Sequence, residues 1–136
     1  MAHYIPVVAL YAAFLGLLFA WLSIRTIKLR RTLKIGIGDN SNPQMQRAIR
    51  VHANFAEYVP IMLILLFFVE TSGANSLIVH GLALCLVTGR CLHAYGVSQL
   101  KENFRFRTAG MGLTFTSLIT SAIYLLFVAA FNIFSA

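Results

Sequence analysis

Four apolar segments separated by short polar stretches dominate this chain of 136 residues. They cover residues 5–24, 60–69, 77–88 and 110–134. The first and last are long enough for a helix to cross a bilayer, which takes about 20 residues. The middle two reach that length when their helices include the polar residues beside them. Charged residues make up 11% of the chain, about half the usual fraction of a soluble domain. The sequence therefore predicts an all-α, integral membrane four-helix bundle.

The predicted helices form one domain, residues 1–136, that leaves no room for a soluble domain. They run over about 5–34, 43–70, 76–100 and 107–134. Asn42 followed by Pro43 is typical of a helix start, and Pro60 is expected to kink the second helix. The N-terminal segment lacks the basic flank of a signal peptide, and its apolar run is too long for one. We therefore expect it to be a retained helix.

The net charge of +7 is distributed unevenly along the chain. Lys and Arg lie in or near the first and third connections, whereas the second connection, residues 70–76, and both tails have none. This pattern predicts a cytoplasmic position for the first and third connections and places both termini outside. A basic chain could bind nucleic acid, but this distribution fits membrane topology and contacts with lipid phosphates instead. We therefore expect membrane lipid, and no nucleic acid, as a partner.

The cysteines and histidines do not form a metal-binding pattern. Cys85 and Cys91 are six residues apart on the third predicted helix and face different directions, so an intrahelical disulfide is not expected. We predict that both are small thiols of the core. His80 and His93 are too far apart on that helix to share an ion.

A polar stripe interrupts the second predicted helix. Its members, Arg50, Asn54 and Glu57, lie within about 60° of one another at about 100° per residue. Arg47 extends this face and Tyr58 flanks it. Ionisable groups near membrane depth are costly, so they usually face a neighbouring helix or a wet cavity and have a function. Two interpretations stay open: Arg50 and Glu57 neutralise each other through Asn54, or the stripe binds a zwitterionic ligand such as an α-amino acid group.

More basic residues are expected at the same depth. Arg90 and His93 share a face of the third helix because they are three residues apart, and Arg105 and Arg107 lie near the start of the fourth. A thiol bound in such an electropositive, partly dry site would lose its proton more readily, because a nearby cation favours the thiolate. Glutathione, with two carboxylates, one ammonium and one thiol, fits this set of groups.

Small and hydroxylated residues follow on the fourth predicted helix. They are Gly110, Gly112, Thr114, Thr116, Ser117, Thr120 and Ser121. Such residues let membrane helices approach closely and form hydrogen bonds across the contact. We interpret them as helix-packing residues, within the bundle or in an oligomer.

The residues of the second helix resemble a family motif. The pattern R-x-x-x-N-x-x-E-Y-x-P, which starts at Arg50 and ends at Pro60, is similar to the helix-2 motif of the MAPEG proteins, the membrane-associated proteins in eicosanoid and glutathione metabolism. The GR-x-x-H stretch at 89–93 and the basic end of the first helix support the resemblance. It extends over essentially the whole chain, and is closest to bacterial members, leukotriene C synthase and microsomal glutathione transferases.

The resemblance implies a homotrimer in a bacterial inner membrane, with glutathione as co-substrate between neighbouring subunits. The residues that it implies for glutathione binding are Arg50, Asn54, Glu57, Tyr58 and His93, with Arg30 or Arg31 from the first helix. Arg90 joins this predicted set because it shares a helix face with His93. Arg107, or else Arg105, would stabilise the thiolate. The chain departs from the eicosanoid enzymes at Val97, where they commonly have tyrosine.

The implied function is that of a transferase or peroxidase with a detoxification role. It would activate the glutathione thiolate against lipophilic electrophiles or hydroperoxides that arrive from the bilayer. The alternative is a non-catalytic glutathione- or lipid-binding membrane protein. A transporter is disfavoured, because the sequence has no repeated halves and no paired broken helices.

Overall fold

The computed structural model describes residues 6–135, which form four α-helices joined by short connections. The helices are α1 (Val7–Leu33), α2 (Pro43–Thr71), α3 (Ser76–Ser98) and α4 (Phe104–Ser135). Each is long and apolar enough to cross a membrane. The predicted all-α membrane bundle is therefore confirmed. The start predicted for the first helix, residue 5, lies outside the described residues.

The ends of the helices follow from local capping. The side chain of Asn42 accepts hydrogen bonds from the backbone N–H groups of Gln44 and Met45, each over 3.0 Å, so α2 begins at Pro43 as predicted. It continues through Pro60 to Thr71 without a break in the helix.

The predicted start of the fourth helix near Arg107 was wrong by three residues. Asn103 Oδ1 accepts a hydrogen bond from the backbone N–H of Arg105 over 3.1 Å, which is the geometry of an N-cap. The helix therefore begins at Phe104. The third helix ends at Ser98, two residues earlier than predicted.

The packing order of the helices leaves α1 and α4 apart. The most extensive contact joins α3 to α4, and α2 packs against α1, α3 and α4. Over the part of the chain that the structure describes, α1 and α4 do not meet. The core between the helices is apolar and includes Leu15, Phe55, Met62 and Leu86. The outward faces of α1 and α4 carry large exposed apolar side chains, as helices in contact with lipid or with other subunits do.

Glycines allow α3 and α4 to approach closely. A Cβ on Gly110 would lie 2.5 Å from the backbone nitrogen of His93, and one on Gly89 would lie 2.8 Å from the carbonyl oxygen of Gly110. Thr114, Ser117 and Ser121 continue the buried side of α4. These residues confirm the packing role predicted for this segment, whereas its other members, Gly112, Thr116 and Thr120, are exposed.

Polar contacts tie α1 to its neighbours. At one end of the bundle, the backbone N–H groups of Val7 and Val8 donate to the two carboxylate oxygens of Glu70. Glu70 is buried, so a carboxylate near the end of α2 caps the start of α1, where N–H groups have no partner within the helix. Further along, Ser23 of α1 contacts a ring nitrogen of His52 of α2 over 3.0 Å.

Candidate functional site

Arg90 lies at the centre of a polar cluster between three helices. Its side chain, on α3, is completely buried. Nη2 donates to Oδ1 of Asn54 on α2 over 2.6 Å, and Nη1 lies 3.5 Å from Oγ1 of Thr114 on α4. One guanidinium therefore connects α2, α3 and α4 at membrane depth.

The other neighbours of Arg90 are aromatic. Its guanidinium carbon lies 5.7 Å from the ring centroid of Phe55 and 5.7 Å from that of Tyr58, within cation–π range. Nδ1 of His93 lies 3.4 Å from Nη2, and His93 is buried. Among the described residues, no carboxylate forms an ion pair with Arg90. The cation is therefore balanced by an amide, a hydroxyl and ring faces rather than by an anion.

The predicted stripe on α2 divides into an inner and an outer part. Asn54 is buried and bonded to Arg90. Arg50 and Glu57 remain outward and form an ion pair, with Nη1 3.2 Å from Oε1. Their side chains are 58% and 48% exposed, so both charges remain accessible from outside the protomer. The neutralisation that one interpretation anticipated does occur, but directly and not through Asn54.

A second charged cluster surrounds Glu102, in the connection between α3 and α4. One carboxylate oxygen lies 2.9 Å from Nη1 of Arg47, and the other lies 3.6 Å from Nη1 of Arg107. Arg47 also donates to the carbonyl oxygen of Val97 over 2.9 Å. The Glu102 side chain is only 7% exposed. Sequence reasoning missed this residue; the signal was a lone acid in an otherwise basic connection.

Arg105 and Arg107 both lie in the first turn of α4, but on different sides. Two residues correspond to about 200° of rotation in an α-helix. The backbone of Arg107 lies against α3, because a Cβ on Gly96 would come within 2.9 Å of its nitrogen. The side chain of Arg107 lines an open cavity of about 600 Å³ at the surface of α4, together with Thr108 and Met111. Of the two arginines, Arg107 is the one on the side of the Glu102 cluster.

The first helix places its two predicted arginines elsewhere. Arg30 and Arg31 lie in the last turn of α1, and Arg30 donates to the carbonyl oxygen of Gly38 over 3.0 Å. Both line a surface cavity together with Lys34. Within one protomer, the described contacts do not connect either arginine with Arg50 or Glu57.

The remaining predictions concern cysteines and metals. Cys85 and Cys91 are free thiols. Both are half-buried, so the predicted place in the core was wrong. The described residues contain no cluster of three His, Cys, Asp or Glu side chains that could hold a metal ion.

These features define a class: an α-helical membrane protein with a buried arginine and, near one end of the bundle, an exposed ion pair between Arg50 and Glu57. Residues 8–127 match the MAPEG family, and the chain belongs to it. Two similar relatives are the inner membrane protein YecN of Escherichia coli strain K12 and its counterpart in Escherichia coli O6:H1 strain CFT073. Each is 37% identical over 111 residues, which cover 82% of this chain and 83% of the relative.

Proposed function

We propose that the protein is a membrane-embedded, glutathione-dependent transferase or peroxidase. Membership of the MAPEG family supports this proposal, because glutathione chemistry is typical of that family. The observation that carries it is the exposed ion pair between Arg50 and Glu57. An exposed ion pair contributes little to stability. A zwitterionic ligand can therefore separate Arg50 from Glu57 and bind both at little cost in free energy.

Glutathione can form ion pairs with both Arg50 and Glu57. A carboxylate of the tripeptide binds Arg50, and its ammonium group binds Glu57. Tyr58 is half-buried beside them, with its ring at an edge-on angle to that of Phe115. Asn54 and His93 act from behind this surface, since both are buried against Arg90.

Arg107 is the proposed thiolate-stabilising residue. Its side chain is 48% exposed in an open cavity and is held only at 3.6 Å by Glu102. When the thiol loses its proton to water, the guanidinium of Arg107 balances the negative sulfur. A fixed cation of this kind contributes about 10²–10³ in rate. Arg105 lacks this placement, since it points to the other side of α4.

The reaction then follows from the chemistry of the thiolate. In a transfer, sulfur forms a bond to an electrophilic carbon, and the leaving group departs with its electron pair. With a hydroperoxide, the thiolate attacks the terminal oxygen, the O–O bond breaks, and the departing alkoxide takes a proton from water to become an alcohol. A second glutathione reduces the resulting sulfenic acid and gives the disulfide and water. A lipophilic substrate reaches the site from the bilayer, along the exposed apolar faces of α1 and α4.

A homotrimer completes the proposed site. In the part of one protomer that the structure describes, Arg30 and Arg31 do not contact the polar stripe of α2, and α1 and α4 share no contact. Neighbouring subunits can bring these surfaces together. The name of the YecN relatives supports a position in the bacterial inner membrane, with the first and third connections in the cytoplasm by their positive charge.

One observation favours the alternative, a non-catalytic binding protein. Val97 is buried where the eicosanoid enzymes commonly have tyrosine, and its carbonyl group binds Arg47. One hydroxyl toward glutathione is therefore absent from this position.

Titration of the purified protein with glutathione in detergent separates the two functions. The enzyme should bind glutathione, show the ultraviolet absorbance of a thiolate, and turn over a generic aryl halide or a lipid hydroperoxide. Binding without a thiolate signal or turnover would favour the binding protein. A lack of glutathione binding would contradict the enzyme and a glutathione-binding protein, and would leave only the lipid-binding form of the alternative.

A further inference from the structure

A second charged cavity lies on α1, away from the proposed glutathione site. It has a volume of about 410 Å³ and is lined by Trp21, Ile24, Arg25, Lys28, Leu29, Thr32 and Gln44. Trp21, Arg25, Lys28 and Thr32 recur at the spacing of one helix face. Arg30 and Arg31 line a different cavity, so the two basic surfaces of α1 are separate.

Over residues 6–135, the two cations in this cavity form no ion pair with an acidic side chain. The chain contains four acidic residues, and none of them forms an ion pair with Arg25 or Lys28 among the described residues. Glu57 and Glu102 pair with other arginines. The cavity therefore has an uncompensated charge of two.

Arg25 is held in a fixed position at the cavity wall. It is half-buried, and its Nη1 donates to Oγ of Ser98 on α3 over 2.7 Å. Its guanidinium carbon lies 5.9 Å from the ring centroid of Trp21. A guanidinium that is anchored at one edge and stacked on a ring keeps its other N–H groups oriented for a ligand.

The depth of the cavity matches the edge of the hydrocarbon layer. A layer of about 30 Å is crossed by about 20 helical residues. A helix that enters the membrane near Val7 therefore leaves it near Arg25. Trp21 lies one turn inside this level and Lys28 one turn outside it. Tryptophan is enriched at the interface, and cations just beyond it attract anionic headgroups.

We propose that this cavity binds an anionic phospholipid of the leaflet next to the α1–α2 connection. Its phosphodiester lies between Arg25 and Lys28, with Gln44 beside it, and its glycerol region lies on Trp21. The apolar side chain of Ile24, on the membrane side of Arg25, contacts the upper part of the acyl chains, whereas Leu29 lines the cavity beyond Lys28. The lipid is the source of the phosphate because the cavity opens where headgroups lie.

The chain carries its own reporter for this site. Trp21 is the only tryptophan and is 57% exposed. Brominated acyl chains quench tryptophan fluorescence on contact, so Trp21 reports which lipid occupies the cavity. The protein is reconstituted in phosphatidylcholine bilayers that contain increasing fractions of brominated phosphatidylglycerol or of brominated phosphatidylcholine.

We expect half-maximal quenching at a lower fraction of brominated phosphatidylglycerol than of brominated phosphatidylcholine. Each of the two cations should lower the fraction of phosphatidylglycerol that is needed by about fivefold. Arg25→Gln and Lys28→Gln should each remove about fivefold of this preference. Lys101→Gln is the matched control, because Lys101 is an exposed cation in the α3–α4 connection, outside the cavity. It should keep the full preference.

Three results would overturn the proposal. Equal quenching by the two lipids would show that the cavity does not select charge. A preference that survives in the Arg25→Gln, Lys28→Gln double variant would place the selection elsewhere. Loss of the preference on addition of inorganic phosphate, at constant ionic strength, would identify a free anion rather than a lipid as the ligand.

Discussion

Arg90 donates a hydrogen bond of 2.6 Å to Asn54, and this contact joins α3 to the charged stripe of α2 inside the bundle. The guanidinium is fully buried and has no carboxylate partner among the described residues. The loss of any one of its neutral neighbours should therefore destabilise the protein. Because Asn54 is fixed inward, only Arg50 and Glu57 of the stripe remain available to a ligand.

Replacement of Asn54 by leucine should destabilise the protein. Arg90 would lose a hydrogen bond to a charged group, which contributes about 1.5–3 kcal/mol. Thermal unfolding in detergent measures the effect, with Gln46→Leu as the control at an exposed position of α2. The double variant Asn54→Leu, Arg90→Met should regain part of the stability, because both polar partners are then apolar. Equal stability of Asn54→Leu and the control would contradict this account of the contact.

Arg50→Ala and Glu57→Ala should each weaken glutathione binding by at least about tenfold, since each removes a charge-assisted hydrogen bond to the ligand. The oligomer should stay assembled, because the two side chains are exposed. Calorimetry gives the affinity and light scattering gives the assembly state. Unchanged affinity in both variants would identify the pair as purely architectural.

The variants Arg107→Gln and Arg105→Gln together test which arginine stabilises the glutathione thiolate. We expect Arg107→Gln to lose the thiolate absorbance and to lower turnover by about 10²–10³, while most of the glutathione affinity remains. Arg105→Gln, which removes the same charge from the other side of α4, should have little effect on either. If Arg105→Gln abolishes the thiolate signal and Arg107→Gln does not, the assignment is reversed.

Gly110→Ala should separate α3 from α4. The added Cβ would lie 2.5 Å from the backbone nitrogen of His93, and backbone cannot move aside as a flexible side chain does. We expect a loss of about 1–3 kcal/mol in stability. Gly112→Ala is the control on the same helix, where a Cβ meets nothing within 4 Å; it should be neutral or slightly stabilising. Similar melting temperatures for the two variants would show that the contact is not close.

The parts of the structure that the sequence predicted well are those that depend on local properties. Helix length and apolar content identify four spans, and the Asn42–Pro43 pair marks the start of α2. Helical periodicity places Arg50 and Glu57 on one face, where they form an ion pair. None of these conclusions needs information about how the helices pack.

The missed features depend on contacts between distant segments. The inward turn of Asn54 follows from the position of Arg90, which is 36 residues away and lies on another helix. Glu102 joins Arg47 to Arg107 only because the α3–α4 connection folds back over α2. The early start of α4 has a local signal, the capping residue Asn103, which a helix start near Arg107 leaves in the connection.

The carboxylate of Glu70 that caps the start of α1 comes from the far end of the next helix. During synthesis, Val7 at the start of the first helix leaves the ribosome 63 residues before this partner. The N–H groups at its start form their hydrogen bonds to Glu70 only when the second helix has crossed back through the bilayer. The first two helices therefore mature as a hairpin, and a chain interrupted between them would expose bare backbone N–H groups at the membrane edge.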